Sequence, residues 1–310
     1  MSAVDIVCLG EPLYEFSALP GKERPGKERH WLQGFRGDTS NCAIAAARQG
    51  ASVAYVTRLG KDEFGEQFLA LWRQEGVDVS GVGIDPGAHT AVYFITHGPA
   101  GHVFSYLRAD SAASRMRSEY LPLSLIRAAK FLHTSGITQA ISASACDTAF
   151  AAMEAARQAG VRVAYDANLR PRLWPAPRAR AVIGAALSMS DLFLLSIDEA
   201  QALCGLDQPD AVLDWCHRRG ARQVALKLGK DGVIGSDGER RERLPGHRVQ
   251  AVDATGAGDC FAGALLARLA AGDGFPAALR YANAAAALTT TGYGAVAPLP
   301  RPEDVRRLLG

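Results

Sequence analysis

The run Asp253-Ala-Thr-Gly-Ala-Gly-Asp259 is the part of this sequence best equipped for chemistry. It stands between a strand-like segment and a long apolar helix pattern, Cys260–Ala271. Glycines let backbone N–H groups approach an anion with no Cβ in the way. The helix that follows aims its unpaired first-turn amides, and the positive end of its dipole, at the same spot. An acid at the end of such a loop would repel phosphate, so Asp259 needs a reason to be there. A carboxylate beside an anion hole can take the proton of an attacking hydroxyl while the amides hold the transferred phosphoryl oxygens. Residue type alone also allows a second reading, an N-capping Asp after a Gly-rich turn.

Competing motifs are absent. No G-x-x-x-x-G-K-[ST] occurs, which excludes a P-loop. Gly292-Tyr-Gly294-Ala-Val-Ala297 imitates a dinucleotide fingerprint, but Pro298 and Pro300 fall where its helix would start. The seven histidines form no H-E-x-x-H pair, which argues against a built-in transition-metal site. Six cysteines are scattered, mostly beside apolar neighbours and with no C-x-x-C, and read as buried free thiols of a reducing compartment. With 310 residues, 48% of them hydrophobic, and a net charge of +2, the chain has material for a large core. It lacks the basic surplus that nucleic-acid or membrane-surface binding needs. The longest apolar stretch, Ala181–Leu195, is broken by Asp191 and too short to span a bilayer. A cytoplasmic location is the expectation.

Strand and helix patterns alternate along most of the chain. Asp5–Leu9, Ser52–Thr57, Phe131–Thr134, Arg162–Asp166, Asp191–Leu195 and Gln223–Lys227 read as strands. Helical patterns cover Thr39–Arg48, Asp62–Glu75, Ser144–Ala159, Arg178–Met189, Asp210–Arg219 and residues 256–271 and 276–290. Phe64, Phe68, Leu71 and Trp72 fall at helical spacing and read as core. The rhythm predicts an α/β fold, a mostly parallel sheet with helices on both faces. Two stretches break it. Residues 12–36 are rich in Gly, Pro and charge, and residues 90–107 hold two β-rich runs around His97-Gly-Pro-Ala-Gly101, a hairpin signal. Together they predict a β lid on a single domain spanning residues 1–310.

Several segments resemble the ribokinase, or pfkB carbohydrate kinase, family. Asp253–Asp259, with its Ala-rich helix and Asn283 beyond, resembles that family's C-terminal signature. Arg36-Gly-Asp-Thr-Ser-Asn41 and Leu59-Gly-Lys-Asp-Glu-Phe-Gly65 resemble its N-terminal one. The resemblance implies a ribokinase-like fold and the use of ATP with Mg²⁺. It implies Asp259 as catalytic base and the amides of Gly256, Ala257 and Gly258 as anion hole. Ser196, Lys227, Gly229 and Thr255 would attend the nucleotide, and Asn283 would line the adenine pocket. Glu199, three residues after Ser196, would act on the metal indirectly. Residues 249–253 and 288–294 lie where a monovalent cation would be used. Ala254 departs from the Thr of many relatives, but Thr255 follows it.

Within that family, Phe104-Ser-Tyr-Leu-Arg108, Ser135-Gly-Ile137 and Asp166-Ala-Asn-Leu-Arg-Pro-Arg-Leu-Trp174 look most like 2-keto-3-deoxygluconate kinases. A sugar acid carries a carboxylate, to which Arg108 and Arg170 can make charge-assisted bonds. Tyr93 and Tyr106 can offer hydroxyls and ring faces to a polyol, Gly37 allows close backbone approach, and Asp38 and Asn41 can bond sugar hydroxyls. Arg172 reads as a surface residue. Arg36 stands where a Gly is usual and Ser105 where a second Tyr is common, so charge is added and a ring removed near the sugar. The Asp166–Arg170 stretch also resembles fructokinases, which take a neutral sugar. A non-catalytic sugar-binding protein on this fold would have no use for Asp259. Small-molecule partners are expected, with exposed lid edges offering a surface for a second copy.

Overall fold

The computed structural model of the chain describes residues 4–18, 30–98 and 101–310. In chain order the strands are β1 (Ile6–Leu9), β2 (Leu13–Ala18), β3 (Trp31–Arg36), β4 (Val53–Gly60), β5 (Val77–Asp78), β6 (Val82–Asp85), β7 (Val92–Gly98), β8 (Gly101–Leu107), β9 (Phe131–Ser135), β10 (Arg162–Asp166), β11 (Leu192–Ser196), β12 (Gln223–Lys227), β13 (Val233–Ser236) and β14 (Arg241–Leu244). The helices are α1 (Asp38–Arg48), α2 (Glu63–Gln74), α3 (Leu123–Arg127), α4 (Gly136–Ala140), α5 (Ala143–Gln158), α6 (Ala176–Ser188), α7 (Ile197–Cys204), α8 (Pro209–Arg218), α9 (Ala257–Ala270), α10 (Phe275–Thr289) and α11 (Pro302–Leu309).

The central sheet runs β14, β13, β12, β11, β10, β9, β1, β4, β5, with β6 pairing along β4. Pairing is parallel throughout except at β12–β13 and β13–β14. The inner strands β1, β10, β11 and β12 are apolar at their central positions because both of their faces are covered. Alternation sends Ile6, Cys8 and Leu194 into a core beneath α1, α9 and α10, and Val7, Leu9 and Phe193 into a second core beneath α5, α6 and α8. Parallel pairing puts the C-terminal ends of β1, β10, β11 and β12 on one edge. Glu11, Asp166, Ser196 and Lys227 are therefore neighbours there, although they lie far apart in the chain.

A second sheet, in the order β3, β2, β7, β8, joins the two stretches that broke the rhythm. Two antiparallel hairpins, β2–β3 and β7–β8, are stitched by parallel β2–β7 pairing, with Tyr14 opposite Val92. Residues 19–29 and the 99–100 turn expected within these segments lie outside the described residues. The sheet is anchored on α2 by Tyr14 against Phe64, with ring centroids 4.8 Å apart, and by a 2.5 Å hydrogen bond from the Tyr14 hydroxyl to Gln67. Behind them Phe68 and Trp72 are fully buried, and Phe64 and Leu71 pack against them as part of the core. Burying Phe68 contributes roughly 1.5–3 kcal/mol, and the Trp72 indole donates to Ser40 on α1 at 2.9 Å.

Element boundaries move by one to three residues from the sequence expectation. Several features were not expected, the short strands β5 and β6 and the terminal helix α11 among them. The strand β2 is hidden in a Pro- and Gly-rich context, and α3 and α4 are too short for a periodic signal. The helix α7 carries a capping box: Ser196 accepts the Glu199 amide at 3.2 Å, and the Glu199 carboxylate accepts the Ser196 amide at 2.7 Å. That S-x-x-E spacing is a helix-start signal in its own right. All six cysteines are free thiols, and no helix among the described residues is long and apolar enough to cross a membrane.

Candidate active site

A cleft of about 1040 Å³ lies between the small sheet and the C-terminal edge of the central sheet, at the top of the size range of small-molecule sites, roughly 300–1000 Å³. Its floor is the loop before α9. Gly256 adopts a left-handed conformation, φ 77°, and a Cβ there would meet Ala295 at 3.1 Å. The turn frees the Gly258 amide, which as the second residue of α9 has no intrahelical acceptor. The Ala257 amide, by contrast, donates to the Ala254 carbonyl at 3.3 Å, and Ala257 does not line the cleft. The expected anion hole therefore loses its middle member to the turn. Asp253 staples the loop from behind, accepting from the Thr255 amide and hydroxyl at 2.9 and 2.6 Å and from the Gly294 amide at 3.0 Å. Although burial pushes its carboxyl up, those hydrogen bonds hold Asp253 below the usual carboxylate range.

Asp259 projects from the first turn of α9 and accepts a 2.8 Å hydrogen bond from the Asn41 side-chain amide. Burial, and then the nearby Asp38 and Asp166 carboxylates, push its carboxyl up to about 7, against the pull of Asn41 and Lys227. A base poised near neutrality suits proton abstraction from an alcohol. It is not acting as the N-cap of α9; that position belongs to Gly256, with no side-chain cap bond.

Around Asp259 the strand ends supply a web. Gly37, the residue before α1, has φ 120°, and a Cβ on it would stand 2.5 Å from the Glu11 carbonyl. Asp38 follows and accepts from the Asn168 side chain at 2.9 Å. Asn168 itself has a positive φ of 32°, a strained conformation for a non-glycine residue that is typical of sites. Lys227 bonds both oxygens of Asp166, at 3.0 and 2.8 Å. A Cβ on Gly258 would lie 3.6 Å from the Lys227 amine, so this cation faces the anion loop. Thr255, Ser196 and Gly229 line the cleft as well.

Several expected ligands have other occupations. Glu199 lines the cleft, but its carboxylate is spent on the amides of Leu169, at 2.9 Å, and Ser196. Asn283 stands outside the cleft, its amide on the Pro245 carbonyl at 2.8 Å. The Tyr93 hydroxyl donates to Glu15, so it can meet a polyol only as an acceptor. Arg108 is paired with Glu11 through a 2.5 Å bond from Nε. Glu11 is fully buried, and burial outweighs Arg108 to hold its carboxyl above the usual range. Tyr106 does present its ring, stacked on Tyr93 at 5.6 Å and 46% exposed. Ser105, one residue earlier, falls on the opposite face of the small sheet, and Phe104 lines the cleft in its place, so no ring is lost there. Arg170 and Arg172 both line the cleft, and neither has a carboxylate partner among the described residues; Arg170 bonds only the Leu169 carbonyl, at 3.1 Å. Arg172 is thus a cleft residue as well as a surface one.

A carboxylate poised near 7, amides at a helix start and a lysine facing them form a phosphoryl-transfer geometry. The model of the pfkB family of carbohydrate kinases matches residues 3–302. The chain belongs to that family. It is an ATP-dependent carbohydrate kinase with a ribokinase-like fold. The kinase is 34% identical over 315 residues to fructokinase-1 of Zea mays, covering 98% of this chain and 97% of that one. It is equally similar, 34% over 317 residues, to the 2-dehydro-3-deoxygluconokinase of Thermoproteus tenax, covering 99% and 94%. A fructokinase from Vibrio cholerae O395, solved with fructose, ADP and calcium, superposes with a TM-score of 0.87 at 26% identity over the full length of both chains. Relatives of both activities are thus equally similar to this chain.

Proposed function

We propose that this kinase phosphorylates the terminal hydroxyl of a sugar acid, of the 2-keto-3-deoxygluconate type, to give its 6-phosphate. The observation that carries the reading is Arg170, a cleft guanidinium with no carboxylate partner among the described residues. Arg170 is exposed, so a neutral sugar leaves it in water, whereas a carboxylate can take two parallel bonds from it. Asp38, Asn41 and the Tyr106 ring would hold the sugar, and the small sheet would act as a lid over it. Asp259 takes the proton of the terminal hydroxyl as oxygen attacks the γ-phosphate of ATP. The Gly256 and Gly258 amides and Lys227 hold the phosphoryl oxygens, so charge moves into fixed donors instead of water.

Among the described residues no group of three or more His, Cys, Asp or Glu could hold a metal ion. This donor set fits a Mg²⁺ that arrives on the phosphates and keeps its waters, with Glu199 contributing only by fixing Leu169 and Ser196. When bound, the ion neutralises charge on the phosphate oxygens. The outer edges of the small sheet expose Leu32, Val103 and Leu107, which supports pairing of two copies through the lid.

Fructose is the second reading, favoured by Arg108 being spent on Glu11. Coupled ATP turnover against 2-keto-3-deoxygluconate, other sugar acids, fructose and ribose separates the two. We expect the sugar acid to give the highest kcat/KM. Turnover with fructose and none with any sugar acid would overturn the proposal.

A further inference from the structure

Arg36 is the last residue of β3, immediately before the Gly37–Asn41 segment, and its side chain is one wall of the cleft. It is held along one edge. Nε and one terminal nitrogen bond the two oxygens of Glu15, at 2.6 and 3.0 Å, and Glu15 also accepts from the Tyr93 hydroxyl. The three residues come from three adjacent strands, β3, β2 and β7, so sheet register fixes the plane of the guanidinium. Its remaining nitrogen, Nη1, is buried and has no acceptor among the described residues. Asp253 acts on Arg36 electrostatically, yet its own oxygens are taken by Thr255 and Gly294. A buried guanidinium N–H with no acceptor is rare and demands an explanation.

We propose that Arg36 is a specificity-determining residue whose Nη1 binds an anionic oxygen of the reacting complex, with Glu15 and Tyr93 as positioning residues. The ligand chemistry is an oxyanion, and it has two sources: the carboxylate of an acidic sugar or the phosphoryl group in transfer. Arg suits either, because two of its donors can be anchored in the protein while the third is left for the ligand. The inference rests on the kinase reading but not on which sugar is used; wild-type turnover tests the sugar, and the variants below test Arg36.

Arg36→Met would strand the buried Glu15, so it is paired with the double variant Arg36→Met/Glu15→Gln, which removes both charges and keeps the volume. Each is assayed with a sugar acid and with its neutral counterpart, alongside melting temperature. If the carboxylate is the ligand, kcat/KM for the acid falls at least about tenfold through KM, and the neutral sugar changes less than about twofold. If the phosphoryl group is the ligand, kcat falls at least about tenfold for every sugar with KM little changed. Either result supports the assignment, since loss of packing alone would not sort by substrate charge or by kinetic step. A double variant that melts like wild type and keeps both parameters within about twofold for both sugars would overturn it, leaving Nη1 as a site for bound water.

Discussion

Asp259 lies deep beside Asp38, Asp166 and Lys227, and its carboxyl is pushed up to about 7. Two consequences follow for pH. With Asp259 as the proposed base, kcat/KM should fall on the acid side of about 7, one decade per pH unit, as a rate profile would show. Stability runs the opposite way. The folded state holds this proton more tightly than the unfolded chain, whose pKa is near the ordinary 3.8. The contribution of the group is therefore fully present below about 4 and is lost as pH rises through about 7. Asp259→Asn removes a buried charge; at pH 8 it should melt a few degrees above wild type, while its turnover drops by about three orders of magnitude or more with sugar binding retained. A variant turning over near the wild-type rate would remove Asp259 from the chemistry. The acid itself was legible because Gly256, Gly258 and Asp259 are adjacent in the chain. Glu11 and Glu15 were not, because each means something only beside Arg108 or Arg36, 97 and 21 residues away.

The helix starts decide which of the expected ligands are free to act. Ser196 and Glu199 close a capping box at the start of α7 and thereby fix the loop at Leu169. Glu199→Gln should cost about 1 kcal/mol of stability and leave the Mg²⁺ concentration giving half-maximal rate within about twofold. A shift of tenfold or more would make Glu199 a direct metal partner. At the start of α1 the demand is steric. Gly37→Ala places a Cβ against the Glu11 carbonyl at φ 120°, at a cost of about 1–3 kcal/mol. It also displaces Asp38 and Asn41 together, so calorimetry and sugar KM should worsen in step. The long helices were readable from period and caps. The short α3 and α4, and β2 among prolines and glycines, carry too few residues for a period to register.

At the scale of the molecule, the parallel frame was legible from the alternation of buried strand runs with amphipathic helices, and the ribokinase-like fold from the family resemblance of the Arg36–Asn41 and Asp253–Asp259 segments. The small sheet was legible only as two irregular stretches, since nothing local announces that β2 will pair with β7. That pairing has a consequence in time. Tyr14 must find Val92 across the whole of α1, β4 and α2, and the entropy of so long a closure is recovered only after those elements have formed. The central sheet also needs distant strands, but its two buried cores reward each addition, whereas the small sheet has one packed side. Assembly is therefore expected to end with the wall that meets the sugar. In pulse-labelled refolding, amides of β1, β9 and β10 should gain protection before those of β2 and β7. The species between the two events would already present the 253–259 loop to a phosphate while having no way to choose among sugars.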